Sequence, residues 1–142
     1  MGVLEGNSPC SDNDWETVTK GGDAAIRQWI DGQMIGRSCV IVLIGSNTAG
    51  RKWINYEIQK AWSEGKGVVG IHIHNLQNAA QQQSVKGSNP FDILPLGSKN
   101  VSMSSVVKAY DPPFSTSTYV YSHIKANLSS WVEEAITIRN NN

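Results

Sequence analysis

The sequence has no long apolar run. Its longest unbroken apolar stretch is the six residues 39–44, whereas a membrane-spanning helix needs about 20. The N-terminus also lacks the basic and then apolar stretch of a secretory signal peptide, and Gly6 stands where N-myristoylation requires Ser or Thr. The sequence therefore predicts a cytoplasmic protein without a membrane partner.

The chain also has no excess of charge and few cysteines. Twelve Lys and Arg balance twelve Asp and Glu, so no basic surface points to nucleic acid as a partner. The middle segment, residues 51–100, carries six basic and three acidic residues, which fits a small anionic ligand. Cys10 and Cys39 are too few for a disulfide framework and do not have the spacing of a zinc motif. His72 and His74 share a strand face, but no third ligand is suitably spaced, so we predict no metal.

What the chain does contain is enough apolar sequence for one folded core, with 39% hydrophobic residues and five Trp. Residues 1–22 and the long stretch 75–100 are predicted to be irregular, apart from a short extended piece at residues 3–4. The predicted regular elements are a helix capped by Asp23 and ending at Gly36, a strand at 39–44, a helix at 51–64, a strand at 68–73, a short strand within 101–110 and a helix at 116–139.

The order of these elements defines the fold class. A strand, a helix and a strand follow one another within residues 39–73 with short connections, which predicts a βαβ unit with a right-handed crossover. The uninterrupted apolar runs of both strands are typical of a parallel sheet covered on both faces. We therefore predict a single α/β domain over residues 1–142 with a mainly parallel sheet.

The first candidate for a functional site is the turn that follows the strand at 39–44. Ligands of open α/β sheets bind at the carboxyl ends of the strands, and free N–H groups at a helix start favour a phosphate. Ser46 and Thr48 would bind such an anion, or they would simply cap the next helix. The basic pair Arg51-Lys52 would help to hold phosphate, or it would be an ordinary solvated pair.

A second candidate lies on the helix after this turn. Trp53 and Glu57 are four residues apart and share a helix face, and Glu57 borders the apolar stripe. This position predicts a partly desolvated carboxylate facing a cleft. The alternative is a surface glutamate that pairs with Lys60.

Three runs together resemble a known family: VLIGSNT at 42–48, RKWINYEI at 51–58 and GVVGIHI at 67–73. They are similar to bacterial TIR-like domains, in particular the TIR-like proteins of the Thoeris anti-phage system. Further similarity includes residues 23–31 and 89–92, and the likeness covers most of residues 14–138. The W-x-x-x-E arrangement after a buried strand is its most specific part.

The resemblance implies a flavodoxin-like, three-layer fold and cleavage of the nicotinamide–ribose bond of NAD⁺, with NAD⁺ as substrate and no cofactor. Some members cyclise the ADP-ribose product into a signal that activates an effector protein. The catalytic glutamate of the family matches Glu57. Nicotinamide already leaves as a cation that needs no protonation, so one carboxylate is enough to stabilise the oxocarbenium-like ribose.

The resemblance also suggests roles around Glu57. Trp53 would form a wall of the pocket, while Ser46 would touch phosphate or ribose and Arg51 would help to hold phosphate. Asn89 lies in a loop that would fold over the pocket, although Asn89-Pro90 is equally a common turn initiator.

The sequence departs from the family at its start. Members begin with an apolar strand and a helix, and nothing before Asp14 supplies either, so we expect an N-terminally incomplete fold whose first strand is encoded upstream or supplied by a partner. Self-association is a further expectation from the family. The competing hypotheses are a non-catalytic TIR-like interaction module and, more weakly, a phosphoacceptor receiver, which would need an Asp after a strand.

Overall fold

The computed structural model describes residues 3–4, 18–78 and 80–142. Its regular elements are, in chain order, β1 (Val3–Leu4), α1 (Gly22–Met34), β2 (Cys39–Ile44), α2 (Lys52–Ser63), β3 (Gly67–His72), β4 (Ala109–Tyr110) and α3 (Ser117–Asn140). Two 3₁₀ turns, Pro90–Ile93 and Met103–Ser105, lie between β3 and β4. No helix in the described ranges has the length and apolar character needed to cross a bilayer.

The four strands form one sheet in the order β1-β2-β3-β4. β2 and β3 are parallel, with Cys39 opposite Gly67 and Ile44 opposite His72, and β4 is parallel to β3. β1 runs antiparallel along the other side of β2, opposite Val40 and Ile41. The predicted βαβ unit and the predicted parallel sheet are therefore confirmed.

Alternation along the strands divides the core between the two faces of the sheet. Successive side chains of a strand point to opposite faces, so the even-numbered residues of β2 share one face with Val68 of β3. This face packs against α1 and α2. The residues that contribute to this cluster from the strands and the two helices are Val40, Val42, Ile44, Val68, Ile26, Ile30, Met34, Ile54, Ile58, Ala61 and Trp62.

The opposite face of the sheet is covered by α3. Cys39 and Ile41 of β2 pack with Val69 and Ile71 of β3 against Trp131, Val132 and Ala135 of α3. The molecule therefore has helix, sheet and helix layers, which confirms the α/β, flavodoxin-like prediction.

Gly67 allows α3 to lie close to β3. A Cβ atom at this position would be 2.8 Å from the backbone carbon of Ala135 and from the backbone nitrogen of Ile136. Only a glycine avoids this overlap, so the α3 backbone is packed directly on the first residue of β3.

Two predictions at the N-terminal side need correction. Val18 and Thr19 are helical rather than irregular. Gly21, not Asp23, is the N-cap of α1. Asp23 lies in the first helical turn, where its carboxylate is 2.5 Å from Lys52 Nζ, so this side chain joins two helices instead of capping one. The predicted lack of a first strand and helix before Asp14 falls mainly on residues outside the described ranges.

The stretch between β3 and α3 is more structured than predicted in one part and less in another. Residues 75–100 contain the 3₁₀ turn with Phe91 fully buried, and Pro95 forms a bridge with Ser102. The strand expected within 101–110 is limited to Ala109–Tyr110. The chain here fills the core with single buried side chains such as Met103, which does not require a strand.

The last helix agrees with the prediction to within a residue at each end. Val120, Trp131 and Ala135 of its apolar stripe are buried, and the stripe packs on the sheet of the same chain. His123 of the same helix is half-buried beside Phe114 and Trp131, with ring centroids 5.6 and 5.7 Å away.

Candidate functional site

A cleft of about 410 Å³ lies at the carboxyl end of β2. Its position is the one expected for a ligand of a parallel α/β sheet. The residues that line it are Leu43, Gly45, Ser46, Asn47, Thr48, Arg51, Ile54 and Ile73. Two of the predicted binding residues, Ser46 and Arg51, are therefore brought together on its wall.

The turn that forms the cleft wall is held by Thr48. Its Oγ1 accepts the backbone N–H of Gly45 at 2.8 Å and donates to the Leu43 carbonyl at 3.4 Å. The N-cap of α2 is Arg51, which makes no side-chain cap hydrogen bond. The alternative that Ser46 or Thr48 caps α2 is therefore wrong, and Thr48 instead fixes the shape of the turn.

Arg51 is oriented by the same turn. Its Nε donates to the Asn47 carbonyl at 2.7 Å, and the side chain is otherwise exposed. Ser46 is also exposed. The cleft therefore has one fixed cation and one accessible hydroxyl, a combination suited to a phosphate.

A distant loop supports this turn from outside. Gly87 is buried, and a Cβ atom there would overlap the carbonyl oxygen of Gly45. Lys86 beside it forms an ion pair with Asp111 at 2.9 Å. The sequence does not predict this contact, because the residues near Gly87 do not indicate which turn they will pack against.

Glu57 is the most unusual side chain of the region. It is only 2% exposed, and neither carboxylate oxygen has a hydrogen-bond partner. This burial raises the pKa of Glu57 to about 7. The alternative of a surface glutamate paired with Lys60 is wrong, since Lys60 lies 3.9 Å from Glu64 instead.

Glu57 does not line the cleft but lies behind it. Ile54, one turn earlier on α2, forms part of the cleft wall. Helical side chains lean toward the N-terminal end of their helix, and the N-terminal end of α2 is at the cleft. The side chain of Glu57 therefore leans toward the end of α2 at which the cleft lies, without lining the cleft.

Trp53 is also outside the cleft lining. Its indole is half-buried, and two cations lie over the ring, with Lys52 Nζ 4.8 Å and Arg27 Cζ 6.0 Å from the ring centroid. Tyr56 contacts it edge-on with the ring centroids 5.8 Å apart. The indole therefore contacts protein groups of both α1 and α2.

Asn89 initiates a turn, which is the alternative to substrate binding that the sequence offered for this residue. Its Oδ1 accepts the backbone N–H of Phe91 at 2.9 Å and so caps the 3₁₀ turn. Asn89 does not line the cleft at β2. A role in substrate binding therefore remains a prediction for this residue.

The two histidines of β3 pack against each other, with ring centroids 6.1 Å apart. His72 is 5% exposed, and its burial, together with the nearby charge of Lys86, lowers its pKa. Across the described part of the chain, no three His, Cys, Asp or Glu side chains are grouped so that they could hold a metal ion.

Comparison with known proteins agrees with the fold. The family model described as "Thoeris protein ThsB, TIR-like domain" matches residues 3–78, which is more than half of the chain. A curated protein of Bacillus cereus (strain MSX-D12), named "Putative cyclic ADP-D-ribose synthase ThsB1", is 40% identical over 80 residues. The match covers 56% of this chain and 42% of that protein, so the chain spans about two fifths of its relative's length. The α/β layers, the cleft after β2 and the family match together show that the chain belongs to the TIR-like domain family of Thoeris ThsB proteins.

Proposed function

We propose that this chain cleaves the nicotinamide–ribose bond of NAD⁺ and that Glu57 is the catalytic carboxylate. The observation that carries the proposal is the burial of this carboxylate without any hydrogen-bond partner. A buried acidic group left unpaired costs free energy in the folded state, and strongly perturbed acids of this kind are concentrated at functional sites.

Cleavage of the nicotinamide–ribose bond is favoured by a buried carboxylate that has no other hydrogen-bond partner. As the bond to nicotinamide breaks, positive charge develops on the ribose, and a nearby anion stabilises it more strongly in apolar surroundings than in water. The two unpartnered oxygens of Glu57 are free to accept hydrogen bonds from ribose hydroxyls. The leaving nicotinamide carries its own positive charge and requires no second acid.

The cleft supplies a place for the rest of the substrate. We propose that Arg51 and Ser46 bind the diphosphate, because a cation and a hydroxyl stand together beside the N-terminal end of α2. Trp53, between this cleft and Glu57 on α2, would border the nicotinamide and ribose. Asn89 would contribute through the loop that carries Gly87 to the same edge.

We further propose that the ADP-ribose product is cyclised rather than hydrolysed. The printed name of the Bacillus cereus relative describes a cyclic ADP-ribose synthase. The 2% exposure of Glu57 agrees with this, because a site that excludes water favours capture by a nucleophile of the substrate itself. The cyclic nucleotide would then act as the signal to an effector protein in anti-phage defence.

The deciding experiment measures nicotinamide release from NAD⁺ by the purified chain, with the nucleotide product identified by chromatography and mass spectrometry. Glu57→Gln removes the charge at nearly constant shape, and we expect it to lower turnover by at least about a hundredfold, as removal of one electrostatic stabiliser does. Glu64→Gln, an exposed change at the C-cap of the same helix, is the matched control and should keep full activity.

Three outcomes would each contradict a part of the proposal. Equal turnover by the wild type and Glu57→Gln would remove Glu57 from the reaction. Absence of turnover, both in this chain and in a version extended by any sequence its gene encodes upstream, would favour the non-catalytic interaction module. Linear ADP-ribose as the sole product would replace cyclisation by hydrolysis.

A further inference from the structure

The cleft at the carboxyl end of β2 has little positive charge for a site that holds a diphosphate. Arg51 is the single charged residue among the described residues that line it. A diphosphate carries a negative charge on each of its phosphates, and charge-assisted hydrogen bonds from cations are the strongest contacts it can make. The inference that follows rests on the proposed function, because it takes the diphosphate of the substrate as the ligand of this cleft.

A short piece of chain, residues 84–87, crosses the carboxyl edge of the sheet beside the cleft, and we call it the crossing segment. At its start, the backbone N–H of Ser84 donates to the carbonyl of His74 at 2.9 Å, just beyond β3. At its end, Gly87 is buried against the turn that follows β2, where a Cβ atom on this glycine would be 3.1 Å from Ser46 Cα. The crossing segment therefore runs from the end of β3 to the wall of the cleft.

Lys86 is the cation that the crossing segment carries. Because consecutive Cα atoms are about 3.8 Å apart, the contact of Gly87 places the Cα atom of Lys86 within about 9 Å of the Cα atom of Ser46. The side chain of Lys86 is exposed, and the four-carbon stem of a lysine is flexible. Its ammonium group is therefore within reach of a ligand bound at Ser46.

The electrostatics of His72 place this ammonium at the same edge of the sheet. His72 is the last residue of β3 and lies opposite Ile44, which ends β2 directly before the turn of the cleft. Burial lowers the pKa of His72, and the charge of Lys86 lowers it further. Because the interaction of two charges weakens with distance, the ammonium of Lys86 lies near the end of β3, one strand away from the cleft.

In this structure Lys86 is paired with Asp111. Its Nζ is 2.9 Å from Asp111 Oδ2, and the two side chains are 54% and 38% exposed. Asp111 directly follows β4, which lies on the side of β3 away from β2. An ion pair this exposed shifts an equilibrium by no more than about fivefold, so a diphosphate can take the lysine from this carboxylate.

We propose that Lys86 is a second cation of the cleft, which leaves Asp111 and binds the diphosphate of the substrate together with Arg51. Lys86 is a binding residue in this scheme. Asp111 is a positioning residue, because it acts through Lys86: it holds the ammonium in the absence of substrate and competes with the diphosphate for it. When Lys86 leaves, the exposed carboxylate of Asp111 is solvated by water.

The test measures binding of ADP-ribose, which carries the diphosphate but has no bond to nicotinamide, so that no turnover is needed. Calorimetric titrations of the wild type, Lys86→Gln and Asp111→Asn at physiological ionic strength give the three Kd values. We expect Lys86→Gln to raise Kd by at least about threefold and Asp111→Asn to lower it by about two- to fivefold. Both variants break the same ion pair, so a pair that only held the crossing segment in place would give two changes of the same sign.

A double variant tests whether Asp111 acts through Lys86. In Lys86→Gln/Asp111→Asn there is no ammonium to compete for, so its Kd should equal that of Lys86→Gln alone. The matched controls are Lys108→Gln and Glu134→Gln. They break an ion pair of nearly the same exposure, 53% and 39%, between the start of β4 and α3, and both should keep the wild-type Kd because distant exposed charges are screened by salt.

Four results would overturn the proposal. They are an unchanged Kd in Lys86→Gln, changes of the same sign in both single variants, a gain from Asp111→Asn that persists in the double variant, and no binding of ADP-ribose by the wild type at millimolar concentration. Nicotinamide release together with an unchanged Kd in Lys86→Gln would remove only Lys86 and leave the proposed reaction. Opposite shifts in a chain that releases no nicotinamide would keep Lys86 as a diphosphate ligand and remove the reaction.

Discussion

Glu57 shows how burial changes the chemistry of a single residue. A carboxyl group with an ordinary pKa of 4.5 is surrounded by side chains that give it no hydrogen bond, and its pKa rises to about 7. The folded protein therefore keeps a proton on Glu57 at a pH where the unfolded chain has released it. The stability of the fold and the activity of the site are consequently linked through one group.

The first prediction concerns stability. Since the pKa of Glu57 is raised on folding, its ionisation destabilises the fold increasingly as pH rises from 4.5 to about 7, and the full cost is about 3 kcal/mol above that pH. Glu57→Gln should therefore increase the free energy of unfolding by about this amount at pH 8 and by little at pH 4.5. Urea titrations at both pH values measure this difference, and an equal effect at both would contradict it.

The second prediction concerns the pH dependence of the proposed reaction. The ionised form of Glu57 is the active one, and the pH profile of kcat/KM reports the free enzyme. With the pKa of Glu57 at about 7, nicotinamide release should increase from pH 6 to pH 8 with a midpoint near 7. The control Glu64→Gln should keep this profile, and a midpoint near 4.5 would show that Glu57 is not the titrating group.

Much of the candidate site could be predicted at this scale, but its burial could not. The four-residue spacing of Trp53 and Glu57 follows from the sequence, as does the position of Ser46 after a buried strand. The isolation of Glu57 depends on how the rest of the chain packs against α2, which the sequence of α2 does not indicate. One of the cations over Trp53, Arg27, likewise comes from α1, so the sequence around Trp53 does not predict that contact.

At the scale of the elements, the closest packing is between α3 and β3. The third prediction is that Gly67→Ala lowers the free energy of unfolding by about 1–3 kcal/mol, because the added Cβ would be 2.8 Å from the α3 backbone. Gly32→Ala is the control, and we expect it to change the free energy of unfolding in the opposite direction. Gly32 is inside α1 with open space around its Cβ position, so alanine there should stabilise by about 0.5–1 kcal/mol. Thermal unfolding of both variants provides the comparison, and equal shifts would contradict it.

The elements that the sequence predicts well are those with a simple period. β2 and β3 are buried on both faces and appear as continuous apolar runs, and α2 shows its buried stripe every three or four residues. The stretch from 75 to 110 has no such period. There, Phe91 and Met103 enter the core from irregular backbone, and a pattern of single buried residues does not distinguish a loop from a strand.

At the scale of the whole molecule, two buried groups titrate in opposite directions. Lowering the pH below about 7 protonates Glu57 in the folded state, and this favours folding. The pKa of His72 is lowered in the folded state. The unfolded chain therefore accepts a proton on this histidine below pH 6.5 more readily than the folded one, and this disfavours folding. The lowered pKa values of Asp23 and Glu134 act only at more acidic pH. The two buried groups therefore oppose each other between pH 7 and 5.

The fourth prediction follows from this opposition. The change in the wild-type free energy of unfolding between pH 7 and 5 should lie between the changes of the two single variants. Glu57→Gln should lose stability over that range, and His72→Gln should gain it, regardless of the absolute stability of either variant. Denaturant titrations at pH 5, 6 and 7 give the three slopes. Parallel slopes for all three proteins would contradict the assignment of these two groups.

The architecture of the whole molecule could largely be predicted because layered α/β folds follow from the order of their elements. Strand, helix and strand with short connections already indicate a parallel sheet covered on both faces. The antiparallel pairing of β1 with β2 could not be predicted, because a two-residue strand has no sequence pattern that indicates its partner strand or its direction.

Most of the candidate site is encoded in one continuous stretch of sequence. Ser46, Arg51, Trp53 and Glu57 all lie between the first residue of β2 and the last residue of β3. Contacts between residues close in sequence lose little chain entropy when they form, and they speed folding. The segment that we propose does the chemistry is therefore also the one expected to organise early, so substitutions made there to alter activity should also alter the rate at which the protein reaches its native state.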